Sequence, residues 1–425
     1  MKKLLTFLLL LVPFVANAQL TLEQCQLKAR EHYPEVAQYD LIAQSEQYNI
    51  SNASRSWIPQ IVFSGQTTWQ SAVASFPDKL KEMLEVQGLN MPGIPQDQYK
   101  IALDVNQAIW DGGTSRANRK LARAEAAEQR LSSDVSIYSL EERINSIFFG
   151  ILLLDENYAT AQSRQELLNA NYAKLESMHR NGVALQSDLD LIKVEQLTLE
   201  QQIAQNRASR ANFVTMLEMF IGETFGDRKL VKPQDVIVSA LQNNRPEIGL
   251  IDAKIAGIDA KQGLLNTSLT PKLYFFAQGY YGNPGLDMFK SMTTREWSWN
   301  AILGLRMQWN ISAFFTRGTD LKRLENARTA LKVQREVFTF NSNLQKSQQN
   351  GEIARMRKAL EGDDQIVELR TNIRCTAESQ RGNGVIDTAT LLQRISDEAV
   401  ARNTRSIHEI ELLKTIYELK HTVNQ

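Results

Sequence analysis

Cysteine is nearly absent: Cys25 and Cys375 are the only two in 425 residues. Two cysteines make no disulfide framework, so in an oxidising compartment they either pair or stay as two unpaired buried thiols. Past the N-terminus no run reaches 18 consecutive apolar residues, which excludes a membrane-spanning helix. A chain of this kind that crosses a membrane must do so with strands. Neither sign of charge dominates. Without Lys2 and Lys3 the chain carries 46 basic and 48 acidic residues, and nothing in that balance favours nucleic acid as a partner. Catalytic patterns are missing too. His32, His179, His408 and His421 are scattered, with no H-E-x-x-H, no Walker loop, no G-x-S-x-G and no cysteine pair at metal spacing. No enzyme activity, metal site or cofactor is expected.

Proline is absent from 96–232 and from 285–425. These intervals are rich in Ala, Leu, Gln, Glu, Lys and Arg and read as long helices. The prolines that do occur reveal a repeat. His32-Tyr33-Pro34-Glu35-Val36 resembles Asn244-Arg245-Pro246-Glu247-Ile248, and Ser56-Trp57-Ile58-Pro59-Gln60-Ile61 resembles Ser268-Leu269-Thr270-Pro271-Lys272-Leu273, both at an offset of 212 residues. Arg180-Asn181-Gly182-Val183 resembles Gly382-Asn383-Gly384-Val385 at an offset of 202. The spacing predicts a tandem duplication.

The N-terminus carries Lys2 and Lys3, an apolar stretch Leu4 to Val15, and Ala16-Asn17-Ala18 as a small-x-small cleavage pattern. Residues 1–18 therefore read as a signal peptide, the other reading being an uncleaved anchor. Residues 19–231 form the expected first repeat: a helix from about 21 to 57, a strand pair at about 60–111, a helical hairpin 113–180 and a helix 187–221. Residues 232–425 form the second: a helix from about 234 to 269, a strand pair at about 272–311, a hairpin 313–381 and a helix 387–422. Ser187 and Asp387 are the expected N-caps of the last helices.

The strands alternate in character. Trp299, Ala301, Leu303, Leu305, Met307, Trp309 and Ile311 fall on one face, and Asn300, Arg306, Gln308 and Asn310 on the other. Ile101, Leu103 and Val105 oppose Asp104 and Asn106 in the same way. An apolar face against lipid and an apolar face on a soluble core give the same alternation. Strand lengths of about 9–13 residues suit a tilted membrane strand. All six tryptophans (Trp57, Trp69, Trp110, Trp297, Trp299, Trp309) lie in or beside the strand pairs, where an interfacial girdle belongs. Leu303, Leu305, Trp299 and Trp309 are accordingly lipid-facing candidates. Asp104, Asn106, Arg306 and Gln308 are lumen candidates. Four strands cannot close a barrel, and open edges in lipid leave backbone groups unpaired, so a membrane reading requires an oligomer.

The helices carry stripes at coiled-coil spacing: Ala117, Leu121, Ala124, Ala127 and Leu131 in one, Leu321, Leu324, Ala327 and Leu331 in another. A soluble bundle and a tube wall both use such stripes. A helix over 113–151 alone extends about 58 Å, which suits a wall.

At this point the chain resembles the TolC family of outer-membrane factors over essentially its whole mature length. Ile109-Trp110-Asp111-Gly112-Gly113 followed by Arg116 resembles that family's strand-to-helix turn. Phe148-Phe149-Gly150-Ile151-Leu152-Leu153-Leu154-Asp155 resembles the tip of its first long hairpin. Gly182-Val183-Ala184-Leu185-Gln186-Ser187-Asp188-Leu189 and Gly384-Val385-Ile386-Asp387-Thr388-Ala389-Thr390-Leu391 resemble its two equatorial turns. The chain departs from the pattern in Asn106-Gln107-Ala108, which lacks a proline, in Trp309-Asn310-Ile311-Ser312, which lacks paired glycines, and at Thr390, which stands where the first copy has Asp188.

The resemblance implies a mainly α protein with a membrane β-barrel. Long coiled-coil-like hairpins would build a periplasmic α-barrel, and four strands from each subunit of a homotrimer a twelve-stranded barrel. It implies a passive outer-membrane exit channel with a large periplasmic portion, joined through a periplasmic adaptor protein to an inner-membrane pump in an efflux or type I secretion system. A periplasmic coiled-coil scaffold or adaptor protein without a membrane barrel is the competing reading, and the cargo is open. On this view the hairpin tips lie at Phe149–Asp155 and about Ala354–Asp364. Leu152 and Leu154 would either meet the adaptor or pack within the hairpin. Asp363, Asp364, Arg355 and Arg357 would either line the pore constriction or form an exposed, mutually screened cluster.

Overall fold

The computed structural model describes residues 20–89, 92–224, 228–236, 238 and 243–424. The signal-peptide expectation for 1–18 lies outside the described residues; the helix expected from about 234 to 269 is corrected, because 234–236 and 243–245 are not helical and the helix begins only at Pro246. The chain divides into two compact units.

The first unit comprises residues through Tyr39, Leu131–Leu250 and from Gln334 on, and is helical. Helix α1 (Leu22–His32) starts from a capping box in which Thr21 and Gln24 bond each other's backbone N–H. It ends at Tyr33, which Pro34 holds in extended geometry. The single helix expected over 21–57 is therefore two, α1 and α2 (Gln38–Ser54), separated by a 3-10 turn at Pro34–Ala37. Pro34 has no N–H to continue the helical ladder.

Helix α4 (Thr114–Arg180) contributes Leu140, Ile144, Phe148 and Ile151, at steps of 4, 4 and 3, to a core shared with Leu22 and Cys25 of α1. Leu217 and Ile221 of α5 (Gln186–Ile221), Ile353 and Met356 of α8 (Ala313–Gly382), and Ile410 and Ile416 of α9 (Thr388–Val423) complete it. That period places all four α4 side chains on one face. A second core joins Leu168 and Leu175 of α4, Leu189, Ile192 and Leu199 of α5, Ala377 of α8, and Leu391 and Ile395 of α9.

The expected hairpins 113–180 and 313–381 are corrected here. Each is one unbroken helix, 67 residues in α4 and 70 in α8. Gly150, Gly351 and Gly362 lower helix propensity but lie inside regular helix. An unbroken apolar face on both sides of such a glycine outweighs a penalty of about 1 kcal/mol. The chain reverses instead at 181–185 and 383–387.

The second unit, Asp40–Arg130 and Ile251–Val333, carries the sheet. Its four antiparallel strands, β1 (Gln60–Trp69), β2 (Asp97–Trp110), β3 (Lys272–Asn283) and β4 (Ser298–Gln308), lie in the order β1-β2-β3-β4. Helix α6 (Pro246–Thr267) begins in the first unit and leads into β3. Two short helices absent from the sequence reading interrupt the strand pairs: α3 (Asp78–Val86) between β1 and β2, and α7 (Met288–Thr294) between β3 and β4. No helix among the described residues is long and apolar enough to cross a membrane.

Candidate membrane-spanning sheet and helix reversals

Directly paired residues of an antiparallel sheet point to the same face. The register aligns Phe63 with Leu103, Leu103 with Gly279, and Gly279 with Ala301, and two residues away Ile61, Val105, Ala277 and Leu303. One face thus carries Ile61, Phe63, Trp69, Ile101, Leu103, Val105, Phe275, Trp299, Leu303, Leu305 and Met307. Phe63 is 74% exposed, Leu303 73% and Trp299 82%. The opposite, mainly polar face carries Gln60, Ser64, Gln66, Lys100, Asp104, Asn106, Gln278, Asn300, Arg306 and Gln308, with Val62, Phe276, Tyr280 and Ile302 among them.

The polar face is cross-linked. Lys100 Nζ donates to Gln278 Oε1 at 2.7 Å, Gln278 Nε2 donates to Asp104, and Ser64 Oγ donates to Asp104 Oδ2 at 3.4 Å. Arg306 lies over the Phe276 ring at 4.8 Å. The sequence-derived sets therefore fall on opposite faces: Asp104, Asn106, Arg306 and Gln308 on the polar one, Trp299, Leu303 and Leu305 on the apolar one. Trp309 lies one residue beyond β4, where its Nε1 donates to the Leu269 carbonyl at 2.9 Å. Within the chain β1 and β4 each have one unpaired edge.

The turn from β2 into α4 is built on Asp111. Its carboxylate accepts from Gly113 N at 2.8 Å, Ser115 N at 2.7 Å and Ser115 Oγ. Free N–H groups at a helix start need such an acceptor. In the turn from β4 into α8 Ser312 Oγ donates to Asn310 Oδ1 at 2.7 Å, and the turn forms without glycine.

The two helix reversals share a design. Gly182 (φ +76°) and Gly384 (φ +73°) occupy left-handed backbone. Val183 N bonds the Met178 carbonyl and Val385 N the Gln380 carbonyl, each at 2.9 Å. Val183, Leu185 and Val385 stand 68%, 71% and 69% exposed at the bends. Asp387 caps α9 as expected, accepting from Thr390 N at 2.8 Å. The Thr390 side chain, and after it that backbone bond, holds the Asp387 carboxyl below its usual range. Ser187 does not cap α5. It lies inside the helix, and Asp188 accepts from Leu185 N at 3.1 Å instead.

The residues assigned to hairpin tips lie in mid-helix. Leu152 is 6% exposed within the main core of the first unit, which takes it out of any free surface, and Leu154 is half-buried beside it. Asp363 is buried and accepts from His408 Nδ1 at 2.6 Å. Asp364 pairs with Arg405 at 3.0 Å, Arg357 with Asp235 at 2.9 Å, and Arg355 with Glu352 at 2.5 Å. Every one of these charges is matched inside its own chain.

The sequence reading missed Glu398, the most enclosed acid on α9. Thr371 Oγ1 donates to its Oε1 at 2.9 Å, Arg402 Nη2 donates at 2.7 Å, and Arg374 Nε reaches its Oε2. Burial opposes its charge, but the bonds from Arg402, Thr371 and Arg374 prevail and hold its carboxyl below the usual range. Helical spacing alone marks an acid on a stripe; three donors from two helices meet only in the fold. No group of three or more His, Cys, Asp and Glu able to hold a metal ion occurs among the described residues.

This arrangement is the fold of outer-membrane channels. The crystal structure of the outer membrane protein VceC from Vibrio cholerae superposes with a TM-score of 0.68 at 13% identity, covering 95% of each chain. The Campylobacter jejuni CmeC outer membrane channel gives 0.67 at 12% identity, covering 95% of this chain and 85% of that one. The open state of the Neisseria gonorrhoeae MtrE outer membrane channel gives 0.64 at 13%, covering 95% and 88%. No curated protein sequence matches the chain. Residues 27–223 match the family model of the outer membrane efflux proteins, a family of channels and not of enzymes. Over residues 27–223 this match agrees with the resemblance to the TolC family drawn from the sequence.

Proposed function

We propose that the chain is one subunit of a passive exit channel in the outer membrane, serving a tripartite efflux or type I secretion system. The observation that carries this is the sheet: an apolar face across all four strands, a polar face behind it, and an unpaired edge on β1 and on β4. In lipid both edges must find strands, and a closed ring of identical sheets supplies them without leaving backbone groups unpaired. Three copies make twelve strands, the number the family resemblance implies.

The helices support the same assembly. Val337, Phe340 and Leu344 of α8, then Ile366, Leu369 and Ile373, recur at steps of 3 and 4 and stand exposed. Leu191 and Val194 do the same on α5. Such stripes fit neighbouring subunits in an α-barrel. With the reversals at 181–185 and 383–387, the adaptor contact implied for hairpin ends moves to Val183, Leu185 and Val385. The inner-membrane pump would be reached through that adaptor. The succession of strand, short helix, strand, long helix and shorter helix occurs twice, which fits a tandem duplication with halves at 19–231 and 232–425.

Membrane fractionation tests the reading. The expected result is a heat-modifiable oligomer in the outer-membrane fraction that conducts ions in a planar bilayer. A soluble periplasmic monomer would establish the scaffold reading in its place.

A further inference from the structure

The segment after β3 folds back over the polar face of the sheet. Leu286 N donates to Asn300 Oδ1 at 2.7 Å, and Gly285 N bonds Ser291 Oγ at 3.0 Å. Gly285 is packed so closely that a Cβ there would stand 2.1 Å from Ser298 Oγ. Ser298 and Asn300 both belong to the polar face by register with Gly282 and Tyr280. The next loop is pinned as well, because Arg295 donates to the carbonyls of Gly93 at 3.0 Å and Pro92 at 2.5 Å.

Between this strap and the strands lies a cavity of about 510 Å³. Its lining includes Gln66, Thr68, Gln98, Lys100, Leu286 and Met288. A small-molecule site falls within about 300–1,000 Å³ and pairs apolar walls with a few convergent polar groups. Here the two kinds of wall are separated. The strands supply donors: Lys100 pairs in register with Gln66, and Gln98 with Thr68. The Lys100 ammonium gives one bond to Gln278 and lies 4.5 Å from the centre of the Tyr280 ring. An ammonium has three donors. The Gln66 and Thr68 side chains have no hydrogen-bond partner among the described residues. The strap supplies the apolar side, where Leu286 and Met288 stand about half exposed. The lining contains one cation and no carboxylate.

We propose that this cavity is a subsite for small amphipathic organic anions, whose carboxylate takes Lys100, Gln66 and Thr68 and whose apolar body lies against Leu286 and Met288. The inference rests on the channel reading, which makes the polar face the wall of the conduit, and it names a cargo class for that conduit. The one charge in the lining is positive, and the nearest acid on the polar face, Asp104, is already bonded by Gln278 and Ser64, so the cavity favours anions over neutral or cationic solutes of the same size. The apolar strap favours organic acids over inorganic anions.

The test is current blockade of the purified full-length protein in planar bilayers at constant chloride, with benzoate, benzyl alcohol and benzylammonium as probes. Benzoate should depress the current reversibly and saturably while the other two do not. Lys100→Gln should raise the benzoate concentration needed for half-block about tenfold or more, the loss of one charge-assisted bond. Leu286→Ser should raise it as well, with an unchanged heat-modifiable oligomer in both variants. Equal block by benzoate and benzyl alcohol, or an unaltered half-block in Lys100→Gln, overturns the subsite. If no variant and no parent conducts, the channel reading itself falls. Titration calorimetry of benzoate into the solubilised parent and Lys100→Gln then decides the site alone: saturable heat in the parent only supports it, and no heat in either overturns it.

Discussion

Thr270 Oγ1 donates to the Gly112 carbonyl at 3.0 Å, and the same oxygen stands only 2.1 Å from where a Cβ on residue 112 would lie. Gly112 also has φ +67°. The β2–α4 turn therefore admits no side chain at this position on two independent grounds. Gly112→Ala should lower unfolding stability by about 1–3 kcal/mol. Thermal unfolding in detergent, read from far-ultraviolet circular dichroism, checks it. Gly113→Ala separates the two effects, because Gly113 has φ +86° but nothing within 4 Å of its Cβ position; it should cost less.

Charge placed on the two faces of the sheet should have unequal consequences. Leu303→Arg or Leu305→Arg should cost about 2–4 kcal/mol near the bilayer midplane. The oligomer would then disappear from the outer-membrane fraction. Gln308→Arg, on the polar face, should assemble normally. Equal damage at Leu303 and Gln308 would contradict the assignment of the faces.

Leu152 offers a different contrast. At 6% exposure in the core, Leu152→Ala should cost about 2–5 kcal/mol. Leu152→Asp should abolish the folded oligomer outright, since an isolated charge there has no partner. Normal assembly of Leu152→Asp with selective loss of an adaptor would return this residue to the surface.

Glu398 links stability to pH. Its folded carboxyl is held below the ordinary value, so its contribution is complete above about pH 4.5. It is lost as pH falls through the lower, folded value. Glu398→Gln should flatten the acid limb of a stability–pH curve. At neutral pH it should lower stability by about 1.5–3 kcal/mol, the scale of hydrogen bonds to a charged group. An unchanged acid limb would exclude the clamp.

The thiols should react at different rates. Burial pushes the Cys25 thiol up to about 12, and Cys375 is exposed; neither is in a disulfide. A maleimide at neutral pH should label the native protein once, at Cys375, and twice only after denaturation. Mass spectrometry of the labelled peptides counts the sites.

The sheet was legible in the sequence because a strand's period of two leaves its mark wherever the two faces meet different solvents. Trp299, Leu303, Arg306 and Gln308 could each be placed on a face from alternation alone. The long helices were legible for a similar reason, since proline is missing from them. What misled was the position of the bend. Gly150, Gly351 and Gly362 look like natural places to turn, but a helix keeps going while its apolar face has a core to meet. Leu140, Ile144, Phe148 and Ile151 hold α4 straight through Gly150. The true bends carried their own sign in Gly182 and Gly384, which were read as turns of another kind. The Asp363–His408 and Asp364–Arg405 pairs were out of reach, because each partner lies more than 40 residues away along the chain.

The unpaired edges of β1 and β4 also set a kinetic problem. Before its partners arrive, a single chain holds out a ten-residue strand in β1 with Ile61, Phe63 and Trp69 uncovered. Any other exposed strand can pair with such an edge as readily as the correct one. Productive closure stops once the ring is complete, whereas aberrant stacking leaves a free edge at every step and goes on consuming chains, so it gains the more as concentration rises. The outcome depends on how fast chains are delivered and on whether a holding factor masks the edge in transit. Overproduction should shift material into aggregates steeply with expression level, and a factor that binds extended apolar strands should restore the yield without changing the stability of the assembled form.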